Sequence, residues 1–280
     1  MITNADIIKA VTDFAPPALQ EEYDNTGLQV GDTEAECTGV LLCVDATPSI
    51  IEEARRRGVN LVISHHPVLF RGVKRLTGAT LVERTVIEAI RAGITIYSSH
   101  TALDSAPGGV SARMAEMIGL RECQVLEPQE SRAGKIAGCL SDHMAREVIS
   151  GHTGLGMIGS LPSPLTPSRL VGLVKSTFGS PVARCDAYPH DSMISRVALC
   201  GGSGSDMIPL AISKGAQAYI TSDVKYHDFV DYANRILIID IGHWESEHCS
   251  QSILMDAIRE NFPNFAVSFS QTAENPIHYY

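Results

Sequence analysis

Apolar residues at Ile7, Ile8, Val11 and Phe14 recur at helical spacing behind Thr3 and Asp6, and Pro16-Pro17 follows them. This predicts an opening helix with a capping box at its start and a stop at its end. After a turn-rich stretch over 23–31, short continuous apolar runs at 40–44, 61–64 and 94–98 alternate with helix-period segments at about 49–57 and 80–92. That alternation is a β-α-β-α-β rhythm, and Gly58, Gly93 and Gly119 sit just past helix-like runs, where a left-handed residue is favoured.

From about 127 to 188 the periodicity blurs and prolines accumulate at 162, 164, 167, 181 and 189; only a helix opened by Thr166-Pro167 and running to about 178 stands out. The rhythm then resumes, with strands at 196–200, 218–220 and 236–241, helices at about 206–214 and 226–233, a last helix near 245–262 and a strand at 265–268. The expected fold is α/β in two lobes, one formed by 1–126 plus 240–280 and the other by 127–239.

Composition narrows the class. Of 280 residues, 44% are hydrophobic and 19% charged, which is globular usage and excludes disorder and collagen. The 22 Lys and Arg against 32 Asp and Glu give a net charge of −10, which repels polyphosphate backbones and anionic lipid, so nucleic acid is an unlikely partner and no membrane is expected. The seven cysteines are scattered without a C-x-x-C pair, which argues against a disulfide framework or thiolate zinc site and fits a reducing cytoplasm.

In open α/β sheets ligands bind beyond the carboxyl ends of strands. There the chain places His65-His66-Pro67, then Ser99-His100-Thr101-Ala102-Leu103-Asp104, then Gly242-His243-Trp244-Glu245-Ser246-Glu247. Imidazole with carboxylate suits a borderline transition metal such as Zn, Fe, Mn, Co or Ni rather than Mg or Ca. His243 and Glu247, four apart, share a helix face, and the adjacent His65 and His66 could face two neighbouring ions in a turn. Taken singly, each fragment reads as an ordinary surface or capping histidine; it is the joint occurrence that points to metal.

Other segments carry weaker chemistry. Gly201-Gly202-Ser203-Gly204-Ser205, between strand and helix, reads as an amide cradle for phosphate or as a plain tight turn. Asp223 and His227 are four apart after another strand, beside Lys225, and offer a ligand-orienting carboxylate or a general base; Ser222 or Asp223 as a helix cap is the plainer reading. Asp45, Asp223, Gly202 and Ser203 are candidates for supporting a ligand or contacting substrate. Arg55-Arg56-Arg57 reads as a solvated helix end, and a serine hydrolase is disfavoured because no G-x-S-x-G elbow is present.

The blocks 22–31 (EYDNTGLQVG), Ser64-His65-His66-Pro67, His100-Thr101-Ala102-Leu103-Asp104, 221–227 (TSDVKYH) and Gly242-His243 with Glu247 resemble the YbgI-like dinuclear metal centre family. Its members are labelled GTP cyclohydrolase I type 2 homologues, and its eukaryotic relatives are named as interacting factors of a transcriptional regulator. The resemblance implies two interlinked α/β lobes with a metal pair in the cleft between them. It implies His65, His66, Asp104, His243 and Glu247 as ligands of two divalent ions, with Asp104 or Glu247 bridging. It also implies a toroidal homohexamer in the short form of the family.

The activity expected is hydrolysis of a C–N or phosphoester bond in a small-molecule or nucleotide substrate, with two ions bringing the pKa of a bridging water near neutrality. His100 and His227 are candidates for general acid or base. The rival expectation, from a different class, is a hexameric scaffold or regulatory interaction protein that holds metal without turnover.

Overall fold

The computed structural model describes residues 1–129, 133–186, 189 and 192–280, which form a mixed α/β fold divided into two compact units. Met1–Leu103 with Ser250–Pro276 is the first unit, and Asp104–Cys249 with Ile277–Tyr280 the second. Among the described residues no helix is long and apolar enough to cross a membrane, and all seven cysteines are free.

The first unit opens with α1 (Asn4–Phe14), β1 (Gly27–Val30), β2 (Val40–Cys43), α2 (Pro48–Arg57), β3 (Leu61–Ser64), α3 (Leu81–Ala92) and β4 (Thr95–Ser98). Helix α4 (His100–Ser105) carries the chain into the second unit. There follow α5 (Val110–Met117), β5 (Arg121–Pro128), α6 (Ala133–Ile136), α7 (Asp142–Ile149), β6 (Gly154–Leu165), α8 (Pro167–Phe178), β7 (Arg184–Cys185) and β8 (Ile194–Ser203). Next are α9 (Ile208–Ser213), β9 (Ala218–Ser222), α10 (Tyr226–Asp231), β10 (Leu237–Asp240) and α11 (His243–Glu247), before the chain returns to the first unit with α12 (Ser250–Asn261) and β11 (Val267–Phe269).

The first sheet has strand order β1-β4-β3-β2-β11, parallel except for β1. Every residue of β2, β3 and β4 is buried, which is why they read as unbroken apolar runs: parallel strands are covered on both faces. Helices α2 and α3 bury Ile50, Ile51, Ala54, Val86 and Ala89 against Leu41, Val62 and Ile96. Local chemistry sets the helix ends as the sequence predicts. The Thr3 and Asp6 box caps α1, and Gly58 and Gly93 take left-handed φ of 67° and 66° after α2 and α3.

The second sheet has order β5-β6-β8-β9-β10-β7, with β8, β9 and β10 parallel and the remaining pairs antiparallel. Its core is Ile158, Ala198, Tyr219, Ile236 and Ile238 with Ile208 and Ala211 from α9.

Four expectations are corrected. The stretch 23–31 contains β1, a short edge strand on β4 with only Val30 buried, too short to show a period. The blurred middle holds the long strand β6, and β5 runs up to its start. Its glycines are there for close approach, since a Cβ on Gly154 would lie 2.1 Å from Glu127 O and one on Gly156 2.9 Å from Leu199 O. The single closing helix is two, α11 and α12, parted at His248 and Cys249. The units divide after Leu103 and Cys249 rather than at 126 and 239, because α5 packs on β6 and β8, and α11 on β8 and β9.

Candidate functional site

The parallel strands of each unit aim their carboxyl ends at the residues singled out above. In the first unit the ladder runs on past the strands, with His65 N donating to Cys43 O at 3.1 Å and His66 N to Val44 O at 2.9 Å. The hydroxyls of Ser64 and Ser98 both donate to His66 O, at 2.8 and 3.2 Å, and fix the turn. This backbone gathers three imidazoles, with ring centroids 5.0 Å apart for His65 and His66 and 5.5 Å from each of these to His100. His65 is fully buried.

Two of these rings are clamped by carboxylates. His66 Nδ1 lies 2.8 Å from Asp45 Oδ1, and His100 Nδ1 2.7 Å from Asp24 Oδ1. A carboxylate on Nδ1 fixes the tautomer so that Nε2 keeps its lone pair for an acceptor role. Asp24 also accepts from Thr101 N at 3.0 Å and from Asn25 N at 2.6 Å. Burial alone would raise the Asp24 pKa, but the hydrogen bonds from His100, Thr101 and Asn25 outweigh it and hold the carboxyl well below the usual carboxylate range.

The second unit repeats the device. At the end of β10, Gly242 (φ 92°) turns the chain into α11. His243 Nδ1 lies 2.6 Å from Asp223 Oδ2, and its Nε2 2.8 Å from Glu247 Oε2 across one helical turn. The Glu247 side chain is 5% exposed. Asp223 sits in the left-handed region at φ 55°, a strained conformation for a residue with a Cβ, of the kind that collects at functional sites. Asp240, buried at the end of β10, holds both arms: it accepts from Val224 N at 3.0 Å and Gly242 N at 3.1 Å and pairs with Arg184.

Asp104 and Glu247 act on common neighbours. Burial raises the Cys200 thiol pKa far above its ordinary value, and the Asp104 and Glu247 charges raise it further. Gly202 makes room for the Glu247 carboxylate, for a Cβ there would lie 2.0 Å from Glu247 Oε1.

Gly201, Gly202 and Ser203 continue β8 through an irregular register rather than standing in a turn between strand and helix. Gly201 N donates to Ser111 Oγ, Gly202 N to Ser246 Oγ and Gly204 N to Thr221 Oγ1; these three amides are therefore committed. Ser203 is exposed opposite Ser222 of β9. Asp223 precedes α10 rather than sharing its face with His227, and neither Ser222 nor Asp223 is the cap, which falls at Lys225. His227 is exposed and meets the ring of Tyr226 at 5.4 Å.

Sequence reasoning misses Asp24 and Asp240 as positioning residues. Asp24 is signalled only by its place in the 22–31 block. Asp240 reads as the polar interruption of an apolar strand.

The residues present suit a transition metal. Each of His66, His100 and His243 has Nδ1 on a carboxylate, the way metal-ligating histidines are oriented, and Glu247 is a buried carboxylate that Gly202 accommodates.

Comparison with known proteins bears on the family. The Duf34/NIF3 (NGG1p interacting factor 3) family model matches residues 2–276. A protein of Clostridium perfringens named GTP cyclohydrolase 1 type 2 homolog is 35% identical over 243 residues, 86% of each chain. The Lactococcus lactis protein of the same name is 34% identical over 278 residues, 98% of each. The crystal structure of Staphylococcus aureus protein SA1388 superposes with a TM-score of 0.85 at 26% identity, covering 100% of this chain and 99% of that one. With strand-end histidines, fold and family model in accord, the chain belongs to the Duf34/NIF3 family.

Proposed function

We propose that the protein is a metal-dependent hydrolase that holds two divalent transition-metal ions through His65, His66, Asp104, His243 and Glu247. The observation that carries this reading is the repeated clamp of a carboxylate on a histidine Nδ1, at His66, His100 and His243. Two imidazoles and a carboxylate, His65, His66 and Glu247, make a donor set that could hold a metal ion, and mixed nitrogen and oxygen donors favour Zn, Fe, Mn, Co or Ni.

When bound, such ions polarise a C–N or phosphoester group and make water nucleophilic near neutral pH. The chain's own part is to orient and to handle protons. Asp45 and Asp223 fix the His66 and His243 rings. His100, tied to Asp24, is placed beside the other imidazoles as the proton-transfer group, a role for which exposed His227 lacks a comparable setting. A small molecule or nucleotide is the substrate class this reading takes, in keeping with the GTP cyclohydrolase name of the relatives; a cytoplasmic homohexamer completes it.

Metal content tests the reading. Mass spectrometry on protein purified without chelator should find about two transition-metal ions per chain, lost in His65→Ala and Glu247→Ala. Glu247→Gln should then abolish hydrolysis while the assembly, sized by light scattering, persists. Metal-free parent protein after reconstitution with Zn, Mn and Fe would overturn the proposal. Assembly and metal lost together in all variants would favour a structural scaffold instead.

A further inference from the structure

Directly after His65 and His66, residues 65–80 form no helix or strand. Irregular segments of such length in compact folds are commonly binding loops. Both ends of this one are pinned. At the near end Leu69 N donates to Gln29 Oε1 at 3.1 Å, and Leu69 O accepts from Asn25 Nδ2 at 2.9 Å. At the far end one carboxylate oxygen of Glu83 on α3 accepts from Thr77 N, Thr77 Oγ1 and Ala79 N at 2.8, 2.6 and 3.1 Å. Arg84 donates to the carbonyls of Gly78 and Ala79, both at 3.3 Å.

Between the pins the side chains point outward around a cavity of about 1030 Å³, lined in part by Phe70, Arg71, Val73, Lys74, Arg75 and Glu83. That is a volume suited to a small molecule. Arg71, Lys74 and Arg75 are exposed, and no ion pair or side-chain hydrogen bond engages them among the described residues. Acids outnumber bases by 32 to 22 in this chain, and several surface cations are paired, as Lys9 is with Asp13 and Arg55 with Glu52. Three clustered cations against one lining carboxylate, Glu83, which is held by Thr77 and Ala79, are a local reversal of the overall charge. Beside them stands Phe70, 44% exposed. Its ring packs edge-on against Tyr23 at 6.5 Å and against His100 at 5.8 Å, so the ring is braced on one side and open on the other.

We propose that loop 67–80 is the recognition arm for substrate, and that the substrate is a phosphorylated small molecule with a flat apolar ring. Arg71, Lys74 and Arg75 take the phosphate, and Phe70 and Val73 take the ring. The proposal rests on the hydrolase reading for its placement beside the imidazoles and for nothing else. It also resolves the difficulty that a net charge of −10 sets for any anionic substrate, because a local cluster of unpaired cations attracts an anion at distances where salt has not yet screened the field.

Calorimetric binding of phenyl phosphate, inorganic phosphate and phenol to the full chain, with and without prior chelation, tests it. Phenyl phosphate should bind at least about tenfold more tightly than either fragment, retain binding in chelated protein, and weaken as salt is raised. Arg71→Ala/Lys74→Ala/Arg75→Ala should lose phenyl phosphate by at least about tenfold with metal content unchanged. Phe70→Ala should bring phenyl phosphate down to the level of inorganic phosphate. Binding by the triple variant within about twofold of the parent, or no binding by the parent, overturns the proposal. Binding that vanishes on chelation and ignores the triple variant assigns the anion to the metal ions, which sinks the loop proposal and leaves the hydrolase reading standing. A parent that holds no metal yet binds phenyl phosphate through the loop does the reverse.

Discussion

At the scale of single residues, the histidines are legible in the sequence, as are Asp45 and Asp223 as supporting carboxylates, whereas Asp24 and Asp240 are not. His65, His66, His100 and His243 follow apolar runs, and strand-end position alone marks them. Asp24 stands 76 residues from His100 in the chain, so nothing local couples them, and Asp240 works through the backbone of Val224 and Gly242 and through Arg184. Gly202 is legible as a glycine but not as the space for a carboxylate, because that needs Glu247 in place. The clamp on His243 gives the sharpest single-residue prediction. Asp223→Asn keeps the side chain's size and removes the charge that fixes the ring, so metal affinity should fall by about 10- to 100-fold with the fold intact. Competition against a fluorescent chelator measures it, with circular dichroism as the control; unchanged affinity would show that Asp223 does not orient a ligand.

Among elements, the parallel strands and the capped helices are legible because one face or both are apolar and their ends carry caps. Strand β6 is hidden by its own glycines, which break the period yet are required where the backbone of β5 and β8 comes within 3 Å of a Cβ. One contact between elements is invisible in the sequence altogether. Glu53 on α2 accepts from Ser270 Oγ, Gln271 N, Thr272 N and Thr272 Oγ1 and pairs with Arg57 at 2.8 Å, tying the segment after β11 to the helix. Burial would raise the Glu53 pKa, but these hydrogen bonds outweigh it and bring it down to about 2 from 4.5. A carboxyl depressed in the folded chain stabilises fully above its unfolded pKa and loses that contribution as pH falls through the folded value. Glu53→Gln should therefore destabilise the protein by about 2 kcal/mol near neutral pH. The gap between parent and variant in thermal melts should hold down to about pH 5 and close toward pH 2. A gap independent of pH over that range would show that the ionised carboxylate is not what holds the segment.

For the whole molecule, the α/β class, the doubled sheet and the absence of disulfides are legible from rhythm and composition. The exchange of chain between units is not. The chain leaves the first unit after Leu103, returns at Ser250 and ends in the second from Ile277, and no composition change marks those points because α4 and the α11–α12 pair run across them in ordinary helical sequence. The proposed ligands, His65, His66, Asp104, His243 and Glu247, lie far apart in the chain. Metal held by such a set binds the folded chain and not the unfolded one, so it must stabilise by mass action, by about 4 kcal/mol when free metal stands a thousandfold above its dissociation constant. Chelation should lower the thermal midpoint and readdition restore it. Calorimetry of loaded and chelated protein separates the cases. If stripping both ions leaves the midpoint where it was, the five residues do not form a metal site of useful affinity, and this set of buried and half-buried histidines and carboxylates would have to be explained by the polar contacts they make within the protein.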